Sequence, residues 1–281
     1  MFVSAIRQRF AASLPAHPSR RQRPPIPSTT PPWPETGRLA IVVTGASSGI
    51  GTELARAAAH DQQPLLLTGR DAAALAALAQ EVGAAGGEAH ALALDLSRPD
   101  AVAAIGAALG DLGWTCDVLV NNAGFGRVGA AADLGAEDQL RILDVNLRAA
   151  VALALAALPG MRTRRRGGIL NVGSIAGFFP GPGMALYYAS KAGLGSFSEA
   201  LWAEARLYGV TVTLLCPGPV RTPFLERSGA RNARIFKCRR KPRQRASAAA
   251  AGPGSGAGGV WSSQTPRAGS SPAPRRFSRA A

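Results

Sequence analysis

From Arg38 onward, short apolar, β-branched runs alternate with longer stretches whose apolar residues recur at helical spacing. Leu39–Thr44 reads as a buried strand and Ile50–His60 as a helix. Pro64–Thr68 is a second strand, and Asp71 stands as the N-cap of an Ala/Leu-rich helix that ends near Gly83–Gly87. Ala89–Leu94 is a third strand, followed by a helix over Pro99–Leu109, and Asp117–Val120 is a fourth strand. A long helix is predicted over Ala136–Leu158, a fifth strand over Gly168–Val172, a helix over Met184–Tyr208 and a sixth strand over Val210–Leu215. Strands alternating with helices of this length require crossover connections. The fold class is therefore α/β, a doubly wound parallel sheet covered on both faces.

The pattern stops at both ends. Residues 1–36 contain six prolines between Pro24 and Pro34 and cannot build a core, so they are expected to be a disordered basic arm. Their early apolar-basic stretch, with no acid before Glu35, resembles a transit peptide and is read equally well as the product of an upstream start codon. Residues 37–236 form the expected domain. Residues 237–281 are Arg/Ala/Gly/Ser/Pro-rich without periodicity and are expected to be a disordered tail.

This division explains the charge. The formal net charge is +15, yet residues 37–226 hold 14 basic and 16 acidic residues, whereas residues 227–281 hold 13 basic and none acidic. The basic ends carry no recognisable binding motif, and the tail lacks the regular aromatic interleaving of a single-strand binder. No nucleic-acid partner is expected. The cysteines (Cys116, Cys216, Cys238) are odd in number and widely spaced, so neither a disulfide framework nor a metal site is expected, and a cytoplasmic, reducing location fits. The apolar stretch Ala149–Leu158 is too short to cross a bilayer and reads as a buried helix.

Candidate chemistry begins where the first strand meets the first helix, in Thr44-Gly45-Ala46-Ser47-Ser48-Gly49-Ile50-Gly51. Glycines here allow a tight turn and close approach to a pyrophosphate, and the helix presents unpaired N–H groups to it. The second strand ends in Gly69-Arg70-Asp71. An acid at this position holds a ribose hydroxyl, while an arginine accommodates a 2′-phosphate. Arg70 points to NADP(H), with Asp71 reaching the ribose of NAD(H) as the alternative.

Further segments act as a set: Asp95-Leu96, Asn121-Asn122-Ala123-Gly124, Asp144-Val145-Asn146-Leu147, Ser174 followed by Tyr187-Tyr188-Ala189-Ser190-Lys191, and Cys216-Pro217-Gly218-Pro219-Val220-Arg221-Thr222. Together with the glycine loop they resemble the short-chain dehydrogenase/reductase family in its roughly 250-residue form, over about residues 38–236. The resemblance implies a Rossmann sheet and hydride transfer between a nicotinamide and a carbonyl/alcohol pair. It implies that Asp95 holds the adenine, that Asn122, Ala123 and Gly124 wall the adenosine half while Asn121 supports the sheet, that Thr222 contacts the nicotinamide carboxamide, and that Leu96, Pro217, Gly218 and Val220 also bind the cofactor. It also implies a homodimer or homotetramer. Asn146 would hold a water in a proton relay to Lys191.

Tyr187 and Lys191 are four apart on a predicted helix and share a face. A free phenol titrates near ~10, and a nearby ammonium favours the phenolate, so Lys191 is expected to lower the Tyr187 pKa. Ser174 would hydrogen-bond the substrate oxygen. Tyr188 competes for the role of Tyr187, and Ser190 for that of Ser174; the family spacing selects Tyr187. Phe178, Phe179, Met184, Phe224 and Leu225 are expected near an apolar pocket, suggesting a hydrophobic ketone, aldehyde or secondary alcohol. The family continues into a seventh strand, which the tail does not offer. A frame change near Cys238 would produce this departure, as a hypothesis. It leaves a catalytically impaired nucleotide-binding remnant or an interaction protein as the rival to an enzyme.

Overall fold

The computed structural model describes residues 33–220, Phe224, Glu226, Ser228, Gly229 and Trp261–Ser263. Its elements are β1 (Arg38–Thr44), α1 (Ile50–Ala59), β2 (Leu65–Gly69), α2 (Ala72–Ala84), β3 (Ala89–Ala93), α3 (Ala101–Asp111), β4 (Trp114–Asn121), α4 (Ala136–Leu143), a π-helical segment (Asp144–Ala149), α5 (Ala150–Thr163), β5 (Gly167–Val172), α6 (Ala185–Ala205), β6 (Val210–Cys216) and β7 (Trp261–Ser263). Short 3₁₀ turns follow β5 and α6. All strand pairs are parallel, in the order β3-β2-β1-β4-β5-β6-β7. The order reverses between β1 and β4. The crevice at the carboxyl ends of those strands is where such sheets bind ligands.

Alternation along β1 shows how both faces are filled. Ala40 and Val42 enter one core with Leu66, Ile105, Leu153 and Met161, whereas Ile41 and Val43 enter the other with Leu54, Leu65, Leu67 and Leu75. Every residue from Ala40 to Val43 is fully buried. This is why the strand reads as a continuous apolar run rather than an alternating one.

Six strands carry the sheet, as expected. A full seventh is not found among the described residues. The expectation of an unstructured tail is corrected at one place, where β7 pairs in register with Leu214, Leu215 and Cys216. The outer edge of β6 offers free backbone groups there, and an extended segment satisfies some of them.

The N-terminal boundary expected at residue 37 also moves. Trp33 is only 4% exposed, and its Nε1 donates to the Val102 carbonyl oxygen at 2.9 Å. The indole lies against α3 at Gly106, where a Cβ would come within 2.6 Å of its ring. Thr115 donates its hydroxyl to the Pro34 carbonyl, and Arg164 Nη1 donates to that of Glu35 at 2.8 Å. The remaining arm, residues 1–32, and the tail apart from β7 lie outside the described residues.

Strand β4 begins earlier than expected, at Trp114. The polar Thr115 interrupts the apolar run ahead of Asp117, which is itself fully buried, accepting from Gln63 Nε2 at 3.1 Å and pairing with Arg166 Nε at 3.3 Å. Helices α4 and α5 run on through the π segment as one 28-residue helix, long and apolar enough to cross a membrane by length and composition. It is longer than the apolar stretch read from the sequence, and it continues past Pro159. Leu153, Ala154, Ala157 and Met161 are buried against the sheet, so this helix forms a wall of the domain. Pro159 is tolerated because the N–H it lacks would have paired near Leu155, on the exposed side.

Candidate active site

The glycine loop opens at the switch point. Gly45 and Gly49 adopt φ of 65° and 64°, a region open chiefly to glycine. Gly51 is fixed by contact: a Cβ there would lie 2.2 Å from the Gly45 carbonyl oxygen and 2.4 Å from Asn122 Nδ2. No side chain caps α1 at Gly49, so its first N–H groups and positive dipole end remain for an anion. Asn122 clamps this loop to β4, with Nδ2 donating to the carbonyls of Thr44 (2.9 Å) and Gly45 (3.1 Å). The Thr44 hydroxyl accepts in return from the backbone N–H groups of Asn122 (3.0 Å) and Ala123 (3.1 Å). Asn121, one residue earlier, supports the sheet by donating to Asn171 Oδ1 at 2.9 Å and to the Ala150 carbonyl at 3.0 Å.

At the end of β2, Arg70 is exposed and lines the cavity. Asp71 turns away to cap α2, accepting from the Ala74 N–H at 3.0 Å. After β3, Asp95 accepts from the Ser97 N–H (2.9 Å) and hydroxyl (2.8 Å) and pairs with Arg141. Burial pushes its carboxyl up, but the Ser97 bonds and the Arg141 guanidinium outweigh this and hold it below the usual carboxylate range.

Helix α6 carries Tyr187 and Lys191 one turn apart. Burial raises the Tyr187 phenol above its ordinary value, and a hydrogen bond with Ser174 opposes the rise. The expectation that Lys191 lowers this pKa is not met. Lys191 Nζ lies 5.9 Å from the centre of the Tyr187 ring and donates to the Val172 carbonyl at 2.8 Å. Burial lowers its own pKa to about 8. Ser174 follows β5, and its Oγ accepts from the Ala176 N–H at 3.1 Å.

The competitors separate structurally. The Tyr188 ring is buried beside Gly181, Phe179 and Met184 as a wall residue. Ser190 is fully buried, donating to the Tyr187 carbonyl at 2.7 Å and accepting from Asn146 Nδ2 at 3.1 Å. Asn146 sits in the π segment, an irregularity common at functional sites. Its amide also holds the backbone of Phe125, donating at 2.8 Å and accepting at 2.9 Å.

These groups surround one cavity of about 420 Å³. Every site residue expected from the sequence lines it except Gly51 and Asn146, which stand behind its wall, and Thr222, which lies outside the described residues. Of the expected apolar residues, Phe179, Met184 and Phe224 line it, Phe178 does not, and Leu225 is outside the described residues. The sequence reading missed Phe125, Arg127, Asp138 and Arg141. Helical spacing places Asp138 and Arg141 on the face of Val145, the signal by which they were findable.

A family model described as short chain dehydrogenase matches residues 39–233. The chain belongs to this family.

Among solved short chain dehydrogenases, one from Sphingobium yanoikuyae in complex with NADPH superposes with a TM-score of 0.69 at 33% identity, over 75% of this chain and 82% of that one. A metagenomic short-chain oxidoreductase in complex with NADP gives 0.61 at 40% identity, over 67% and 86%. Among curated relatives, ketoacyl reductase HetN of Nostoc is 36% identical over 66% of this chain and 64% of its own length. Dehydrogenase/reductase SDR family member 7B of Bos taurus is 36% identical over 65% and 58%. The chain thus spans less than two thirds of these relatives, and only 33% of the Mycobacterium tuberculosis protein "Probable oxidoreductase EphD".

Proposed function

We propose that this chain is an NADP(H)-dependent oxidoreductase that interconverts an apolar carbonyl compound and its alcohol, with Tyr187 as proton donor and acceptor. The observation that carries this reading is the continuity of one cavity from the glycine loop and Arg70 to the Tyr187 phenol, hydrogen-bonded to Ser174. The glycine loop fits a pyrophosphate, because its close contacts exclude side chains and the α1 N-terminus is uncapped. Arg70 suits a 2′-phosphate, and two similar structures hold NADPH and NADP; NAD(H) is the second choice.

The reduced nicotinamide, when bound, supplies a hydride to the carbonyl carbon. The protein's part is the proton and the oxygen. A phenol raised by burial stays protonated at neutral pH, loaded for donation to the carbonyl oxygen as that oxygen gains charge. The Ser174 hydroxyl hydrogen-bonds the same oxygen. Lys191 Nζ stands 5.9 Å from the centre of the Tyr187 ring and would hold the nicotinamide ribose. Gly124 lies between Asn146 and Lys191: a Cβ there would stand 3.2 Å from Asn146 Oδ1 and 3.5 Å from Lys191 Nζ. Both polar atoms face this gap, where a water would carry the replacement proton.

The test is NADPH oxidation by the purified full-length chain against a panel of apolar ketones and aldehydes. Tyr187→Phe should bind NADPH as before and lose activity about 10²- to 10⁴-fold. A Tyr187→Phe protein that keeps most of its activity refutes the assignment. A second reading, nucleotide binding without turnover, is favoured by the three-residue β7, which supports less of the site than a full strand would. Cofactor binding with no turnover on any substrate selects it.

A further inference from the structure

The loop after β4 brings Gly126 against three cavity-lining residues at once. A Cβ built on Gly126 would lie 2.8 Å from Met184 Cε, 3.2 Å from Tyr187 Cδ2 and 3.3 Å from Phe224 Cζ. These atoms belong to two segments far apart in the chain, α6 with the residue before it, and the stretch after β6. The contact is reinforced by the Val128 N–H, which donates to the Ser228 carbonyl at 2.9 Å. The rings of Tyr187 and Phe224 are 5.3 Å apart, so they close on Gly126 as one apolar wall.

Gly126 does not have the positive φ of Gly45 or Gly49. Its backbone would accept alanine, and its lack of a side chain serves packing rather than a turn. The asymmetry of the three contacts matters. Met184 ends in a flexible thioether that can move away, whereas the Tyr187 ring is held through Ser174 and has less freedom.

From this geometry we infer that Gly126 determines specificity: its bare Cα lets Met184 and Phe224 recess, and so makes room beside Tyr187 for bulky apolar carbonyl compounds. This deepens the proposed function and rests on it. A methyl group at 126 displaces Met184 and Phe224 towards the cavity and presses on the Tyr187 ring by a few tenths of an ångström. Small aldehydes still fit, and carbonyls flanked by two large apolar groups do not.

Gly129 on the same loop supplies the control. A Cβ there would meet Leu134 first, at 2.8 Å, and Gly129 does not line the cavity. Wild type, Gly126→Ala and Gly129→Ala are compared in NADPH binding by fluorescence and in kcat/KM for a small aldehyde and a bulky aromatic ketone. For Gly126→Ala, kcat/KM on the bulky ketone should fall about 10-fold or more, with less than about 3-fold loss on the small aldehyde and unchanged NADPH affinity. Gly129→Ala should change both substrates alike. Equal losses in Gly126→Ala, or none, overturn the inference while leaving the proposed function standing. A wild-type chain that binds NADPH but reduces neither substrate refutes the proposed function, and the inference with it.

Discussion

The Nζ of Lys191 donates its hydrogen bond to the backbone carbonyl of Val172 at 2.8 Å, while standing 5.9 Å from the centre of the Tyr187 ring. The ammonium is thus tied to the end of β5 from within α6, and it is buried at 5% exposure. A single neutral acceptor replaces the water it has lost. This explains why burial lowers its pKa to about 8.

A pH dependence of stability follows. The folded lysine releases its proton near pH 8, whereas the unfolded one keeps it to ~10.4. Between those values the unfolded chain binds more protons, so stability rises with pH across that window and is lost as pH falls through the folded value. The urea midpoint of the cofactor-free wild type, measured against Lys191→Met, should improve from about pH 7 to about pH 9.5. A difference that stays flat with pH would show that the buried lysine keeps its proton throughout.

The gap between Asn146 and Lys191 gives a second expectation. Gly124→Ala places a methyl between Oδ1 and Nζ, where it excludes a bridging water. Reductase turnover should fall about 10-fold or more, with little change in KM for the carbonyl substrate. A solvent isotope effect on kcat should rise as reprotonation becomes limiting. Unchanged kcat would place the proton path elsewhere.

Arg70 lines the cavity as an exposed cation at the end of β2, and the neighbouring Asp71 is occupied as a helix cap. Removing the guanidinium should cost affinity only where a 2′-phosphate is present. Arg70→Ala is expected to raise the Kd for NADPH about 10- to 100-fold and that for NADH less than about 2-fold, which titration of cofactor fluorescence would measure. A wild type preferring NADH would reverse the cofactor assignment.

What the chain shows by itself, and what it hides, divides by distance along the sequence. The glycine loop, the Tyr187–Lys191 pair and the Asp71 cap are local patterns whose spacing sets their geometry. The partners that tune them are not local. Val172, at the end of β5, meets Lys191 on α6, and Arg141, near the start of the long helix, meets Asp95, 46 residues earlier in the chain. The partners that let Asp117 be buried within β4, Arg166 and Gln63, are likewise distant in the chain. Burial is what raises the Tyr187 phenol, and helical spacing shows neither that burial nor the Val172 carbonyl that takes up the Lys191 hydrogen bond.

Trp33 is the clearest case of a contact invisible in the pattern, since a Pro-rich arm gives no reason to expect an anchor. The indole fills the space that Gly106 leaves open, and its N–H is satisfied by Val102. Behind it, Arg164 reaches the carbonyls of Glu35 and Cys116, each at 2.8 Å, tying the arm to the bottom of β4. Trp33→Ala removes a buried aromatic and leaves a cavity against α3, at an expected cost of about 3–5 kcal/mol in unfolding free energy. Gly106→Ala should destabilise by a similar route, because its methyl enters the indole's place at 2.6 Å. If Trp33 is what the glycine accommodates, the double variant Trp33→Ala/Gly106→Ala should be less destabilised than the sum of the single variants, the added methyl now filling part of the void. Urea denaturation of the four proteins measures this coupling. Strict additivity would mean that the two residues do not share the contact.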